Sequence, residues 1–238
     1  MRYSSKNFLS QEDIDKIEST IKEVESKTSG EIVVMVVERS STYRDVDLFV
    51  GFILSIILSF VPAEFFYVNS DAILSWIISL VSWYSPIADN MRFTISLLVF
   101  VAFVFILQLP LTFFVSAMDP FKRLFIPQKR KEEEVKERAF ISFYQKGLNA
   151  TRDKTGVLFF ISILERTLYI LADKGIYEKI KDERLQSYST LIARGIKENK
   201  TSEALCKAIN DVGQELIKHF PIKPDDTNEL SNSVIIEK

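Results

Sequence analysis

One cysteine and one histidine, Cys206 and His219, stand in the 238 residues. A single thiol excludes a disulfide within the chain and leaves no cysteine-based zinc site or redox pair. Cys206 also lacks an arginine at the distance a cysteine phosphatase needs, and its place on an apolar helical face assigns it to packing. His219 has no catalytic partner visible along the sequence. An excess of one charge is missing too, since 30 Lys and Arg stand against 32 Asp and Glu, a net charge of −2. Without a broad basic tract, nucleic acid is not an expected partner. The first six residues are polar and run into a helix rather than an apolar core, so no cleavable signal peptide is expected.

What is abundant is apolar and unevenly placed. Hydrophobic residues make up 47% of the chain, and 13 of the 19 Phe fall between Phe49 and Phe125, a stretch with one glycine, Gly51. From Phe93 to Met118 no side chain is charged, which exceeds the ~20 residues a helix needs to cross the hydrocarbon layer. Pro110 is tolerated in such a helix, with a kink. A first run starts near Leu48 and continues to Ala63, where Glu64 precedes Phe65, Phe66, Tyr67 and Val68. It spans if Glu64 sits at the far interface. A third run, 72–88, sets Ser75, Ser79, Ser82 and Ser85 opposite Trp76, Ile77, Leu80 and Trp83, the pattern of a helix lying in the interface. The expectation is a transmembrane hairpin over 48–118.

Basic residues near these runs are Arg39 and Arg44 before, Lys122, Arg123, Lys129, Arg130 and Lys131 after, and Arg92 between. Both flanks are therefore expected to face the cytoplasm, with Lys129–Lys131 against anionic head groups.

The flanks, 1–47 and 119–220 with a polar, partly disordered tail over 221–238, suffice for one domain. Ser10 and Asp13 predict a capped helix start, and Ile14, Ile17, Ile21 and Val24 recur on one face of it. Ile32–Val37 is expected to be a strand buried on both faces. Helices are expected over 132–147, 185–196 and 204–220, and a strand hairpin over 157–163 and 168–172. The first strand finds partners only beyond the apolar segment, so the hairpin is an insertion within one domain and the crossings are even in number.

Several strings carry a resemblance when taken together. They are Ser29-Gly30-Glu31-Ile32-Val33-Val34, Thr151 with Thr155-Gly156-Val157-Leu158, then Ser162, Glu165-Arg166, and Ala172-Asp173-Lys174-Gly175-Ile176. In this order they make the chain resemble the TPM-domain family of thylakoid-lumen and bacterial envelope proteins, also called phosphatase-like. The resemblance implies an α/β/α sandwich with a small central sheet, here interrupted by the transmembrane hairpin. It also implies divalent-metal binding in some members and acid phosphatase activity in others. The family's commoner arrangement has a signal peptide before the domain and one span after it, and this sequence departs from both.

Glu31 opens the first strand and Asp173 closes the last, at strand ends where open α/β sheets hold ligands. Two carboxylates there suit a hard cation, Ca or Mg, by supplying oxygen ligands. The plainer alternative is capping, Glu31 at strand entry and Asp173 at the turn, with Gly175 supplying an unusual backbone angle. Glu165 and Arg166 are turn charges, raised to possible site neighbours by the family's Glu-Arg pair. Asp225, Asp226, Asn228 and Glu229 form an acidic cluster without the glycine of an EF-hand loop. Asp45 and Asp47 have Phe49 where an aspartyl-phosphate motif needs a small residue. The expected function is a membrane-anchored accessory or scaffold protein whose partners are the lipid bilayer and another membrane protein, and the alternative is a metal-dependent acid phosphatase.

Overall fold

A computed structural model describes residues 8–79, 89–180, 182–198 and 200–237. The chain divides into two compact units, one formed by Met1–Thr42 with Pro127–Lys238 and the other by Tyr43–Ile126.

In the first unit, α1 (Gln11–Glu25) begins with a capping box. The Asp13 N–H donates to Ser10 Oγ, and the Ser10 N–H donates back to the Asp13 carboxylate, both at 3.1 Å. Two of the helix's orphan donors are thereby satisfied, and Ile17, Ile21 and Val24 are buried as the spacing predicts. The strand β1 (Glu31–Val37) is buried at every position. Its main partner is β2 (Gly156–Ser162), paired in parallel from Glu31↔Gly156 to Val37↔Ser162. Because β1 precedes the second unit and β2 follows it, the sheet closes across the insertion. The strand β3 (Thr167–Ala172) returns antiparallel to β2.

The polar tail departs from expectation. Its end forms β4 (Ile235–Glu237), which pairs in parallel with Met35–Val37 of β1 and gives the sheet the order β3-β2-β1-β4. A polar segment too short to show alternation takes its structure from an open strand edge, whose N–H and C=O groups need partners.

Alternation along the strands sends side chains to two faces. Ile32, Val34, Val36, Phe159, Ile161 and Ile170 pack with α1, α7 (Asp182–Lys197) and α8 (Thr201–His219). Val33, Met35, Val37, Leu158, Phe160 and Leu171 pack with Val135, Ala139 and Phe143 of α5 (Gln128–Gln145). The unit is an α/β/α sandwich around a small mixed sheet, and α6 (Lys174–Tyr177) is a single turn after β3.

The second unit pairs two long apolar helices, α2 (Arg44–Ser79) and α3 (Asp89–Ala117), and ends in α4 (Asp119–Leu124). Residues 72–79 of the expected interfacial helix continue α2, and 80–88 lie outside the described residues. The helices approach closely at Gly51, where a Cβ would lie 2.9 Å from Thr112 Cα. Polar groups face inward: Ser55 Oγ donates to Gln108 Oε1 at 3.3 Å, Gln108 Nε2 to the Leu48 carbonyl at 3.3 Å, and Ser96 Oγ to the Ala63 carbonyl at 2.9 Å. Large apolar side chains face outward, with Phe105 74%, Leu109 76% and Phe113 76% exposed. At the base, Lys122 Nζ meets Asp47 Oδ2 at 2.8 Å with both side chains buried. By length and composition, Arg44–Ser70 and Arg92–Ala117 are long and apolar enough to cross a membrane.

Candidate functional site

Glu31 and Asp173 lie at the same end of the sheet. Glu31 pairs with Gly156, and the Asp173 N–H donates to the Gly156 carbonyl at 2.9 Å. They therefore stand two strand spacings apart, roughly 10 Å between backbones. Gly156 leaves room there for backbone, since a Cβ on it would lie 2.5 Å from the Leu148 carbonyl oxygen.

Each carboxylate has one oxygen engaged and one not. Glu31 Oε1 accepts the Glu229 N–H at 3.0 Å, and Asp173 Oδ1 accepts the Lys174 N–H at 2.7 Å as the cap of α6. Glu31 Oε2 and Asp173 Oδ2 are buried without a hydrogen-bond partner among the described residues. Such oxygens suit a cation, but no group of three or more His, Cys, Asp or Glu able to hold a metal ion occurs among the described residues. Gly175 differs from expectation, because its backbone angle is ordinary and only Gly147 among the glycines has positive φ. What requires glycine at 175 is closeness, since a Cβ would lie 2.7 Å from the Lys154 carbonyl oxygen.

The turn carrying Glu165 and Arg166 lies at the other end of the sheet, beyond Ser162 and Thr167. A seven-residue strand separates it from Glu31 and Asp173 by roughly 20 Å, so the fold does not gather the four residues. Glu165 is buried rather than an exposed turn charge. Its Oε1 accepts the Ser40 N–H at 3.0 Å, and its Oε2 accepts a hydrogen bond from Ser162 Oγ. This carboxylate ties β1's exit to the β2–β3 turn. Arg166 is exposed with φ 53°.

The sequence reading missed Glu25. At the β1 edge that β4 leaves uncovered, Glu25 Oε1 accepts the Ile32 N–H at 2.7 Å and Oε2 accepts from Asn232 Nδ2. Burial pushes its carboxyl up to about 8, and the charge of nearby Glu31 adds to the shift. Glu31 is also raised, first by burial and then by the charges of Glu229 and Asp226, against the lowering effect of the Glu229 and Leu230 N–H groups. No spacing rule signals Glu25, because its neighbours come from β1 and the tail.

The acidic tail cluster faces a cation. Arg152 Nη1 meets Asp225 Oδ2 at 3.1 Å, its Nη2 meets Asp226 Oδ1 at 3.3 Å, and its N–H donates to Glu229 Oε2 at 3.0 Å. Farther on, Glu237 meets Lys146 at 2.9 Å and Arg138 at 3.2 Å. The tail is fastened along its length.

Residues 122–215 match the family model of the TPM domain, a span that takes in β2, β3 and Asp173 but not β1. Among solved structures, the chain is similar to the BA42 protein of the psychrophilic bacterium Bizionia argentinensis, with 19% identity, a TM-score of 0.53, and coverage of 97% of this chain and 96% of that one. No curated protein matches. The likeness to BA42 is one of fold, and the match to the TPM domain is carried by residues 122–215 of this chain.

Proposed function

We propose that this chain is a membrane-anchored accessory protein, in which α2 and α3 cross the bilayer as a hairpin and the TPM-domain unit holds or maintains another membrane protein. The observation that carries the anchoring is the outward apolar surface of the hairpin. Only 11% of the apolar α3 stretch is buried, whereas a core helix of a soluble protein buries its apolar stripe. Inward serines and glutamine bonded between helices, with apolar groups outside, is the arrangement a lipid solvent favours. Because β1 and β2 share one sheet, both flanks belong on one side, and the basic residues outside the hairpin make that side the cytoplasm. Lys122 adds little to this bias, being buried against Asp47. The scaffold role rests on the soluble unit's being fastened at both ends to one anchor. Affinity capture from solubilised membranes under the full chain and under a hairpin-deleted form tests it, and an identical set of captured proteins would defeat it.

A second reading, a metal-dependent phosphomonoesterase binding Ca or Mg, is favoured by the two buried unpartnered oxygens, Glu31 Oε2 and Asp173 Oδ2. Hydrolysis of a generic phosphate ester by purified protein, with each cation and with chelator, tests it. A rate that neither cation raises would remove this reading.

A further inference from the structure

At the far end of α8 from Thr201, side chains from three segments surround an open hollow. Lys179 and Ile180 follow α6, Arg184 and Ser187 lie in the first half of α7, and Glu215, Lys218 and His219 lie in the last turns of α8. Ile180 is buried and forms part of the floor. Glu215 is the only carboxylate in the lining among the described residues, and it is engaged: Oε1 meets Arg184 Nη2 at 2.7 Å, and Oε2 lies 3.8 Å from His219 Nε2. It is largely buried while Arg184 is more than half exposed, so its role is to hold the guanidinium at the rim, with the imidazole nearby. Ser187 Oγ donates to the Arg184 carbonyl at 2.6 Å, which leaves the hydroxyl oxygen at the edge of the hollow.

Among the described residues, three permanent cations, Lys179, Arg184 and Lys218, thus share a concavity with one carboxylate. Each approaches from a different segment, so the fold rather than local sequence brings the like charges together. The bland outcome of such a group is a solvated basic patch, in which each side chain turns to water. Here Glu215 fixes Arg184, and the two lysines line the same concave surface.

We propose that this hollow binds a phosphate group, with Arg184 as the planar fork and Lys179 and Lys218 as point charges beside it. Among the described residues the lining carries a net charge of +2, three cations against Glu215, which matches a phosphate dianion or monoester. A guanidinium suits the tetrahedral oxygens through paired N–H donors. The phosphate can come from a soluble ion or from a phosphatidic acid head group.

The lone histidine makes the test unambiguous, since His219 gives the only imidazole signal in the chain. The full chain, labelled with carbon-13 at histidine and held in phosphatidylcholine nanodiscs, is titrated with inorganic phosphate at constant ionic strength. A second arm exchanges part of the lipid for phosphatidic acid. The expected result is a saturable shift of the His219 resonance in at least one arm, and the responding arm identifies the source. Arg184→Gln and Lys218→Gln should each weaken the response about tenfold, the loss of one charge-assisted hydrogen bond, while Lys16→Gln on α1 leaves it unchanged. A backbone spectrum that stays otherwise constant shows that each variant is folded. Silence in both arms, the same shift with chloride, or equal responses in all variants would overturn the proposal.

Discussion

Glu25 illustrates how one side chain takes its chemistry from residues remote in sequence. Its ordinary carboxyl value is 4.5, and in the fold it rises to about 8, so folding takes up a proton between those values. The sign follows from linkage: the stabilisation is fully present below about 4.5 and is lost as pH rises through about 8. Urea midpoints measured from pH 5 to pH 9 should fall for the wild type, with a smaller slope in Glu25→Gln. A Glu25→Gln profile parallel to the wild type would refute the assignment. At the opposite end of the sheet, Glu165 accepts from Ser40 and Ser162. Replacing it with Ala leaves buried donors without acceptors, and we expect a loss of about 2 kcal/mol, read as a lower denaturation midpoint. Glu165→Gln, which keeps one acceptor, should lose less.

Among the elements, the base of the helical pair and the C-terminal strand are the most exposed to test. Lys122→Met would leave Asp47 buried and uncompensated, at a cost of about 3–5 kcal/mol. Adding Asp47→Leu should recover most of that loss, because an apolar pair of similar size carries no desolvation cost. Thermal unfolding in nanodiscs checks both variants, and a double variant no better than the single one would contradict the buried pairing. For β4, deletion of residues 221–238 removes the partner of Met35–Val37. Amide exchange should then rise at β1 before it rises at β2 or β3, as expected for a strand that loses one neighbour. Uniform acceleration across the sheet would mean that the tail supports the whole unit rather than its edge.

For the whole molecule, the pairing of β1 with β2 across the second unit predicts one cooperative soluble domain. A flexible linker in place of residues 44–124 should give a soluble protein with a single unfolding transition, whereas residues 127–238 alone should not fold. Independent folding of that fragment would break the split-domain reading. Topology has its own test, in which cysteines are placed singly at Ser5, Ser82 and Ser231 in a Cys206→Ser background. Only position 82 should react with an impermeant reagent in intact cells, and labelling at 5 or 231 would reverse the orientation.

The sequence by itself determined those features whose causes are local or periodic. The α1 cap follows from Ser10 and Asp13, the helices from their apolar spacing, the strands from short β-branched and aromatic runs, and the hairpin from charge-free length. Even the insertion was legible, since a doubly buried strand without a neighbour needs one from farther along. Tertiary structure decided everything that depends on residues meeting from different segments. It separated Glu165 from Glu31 by the length of a strand, gave Gly175 a packing reason instead of an angular one, and joined Glu215 of α8 to Arg184 of α7. It also made a strand of Ile235–Glu237, whose polar surroundings carry no periodic signal, because the open edge of β1 supplied the backbone partners that the tail could not supply for itself.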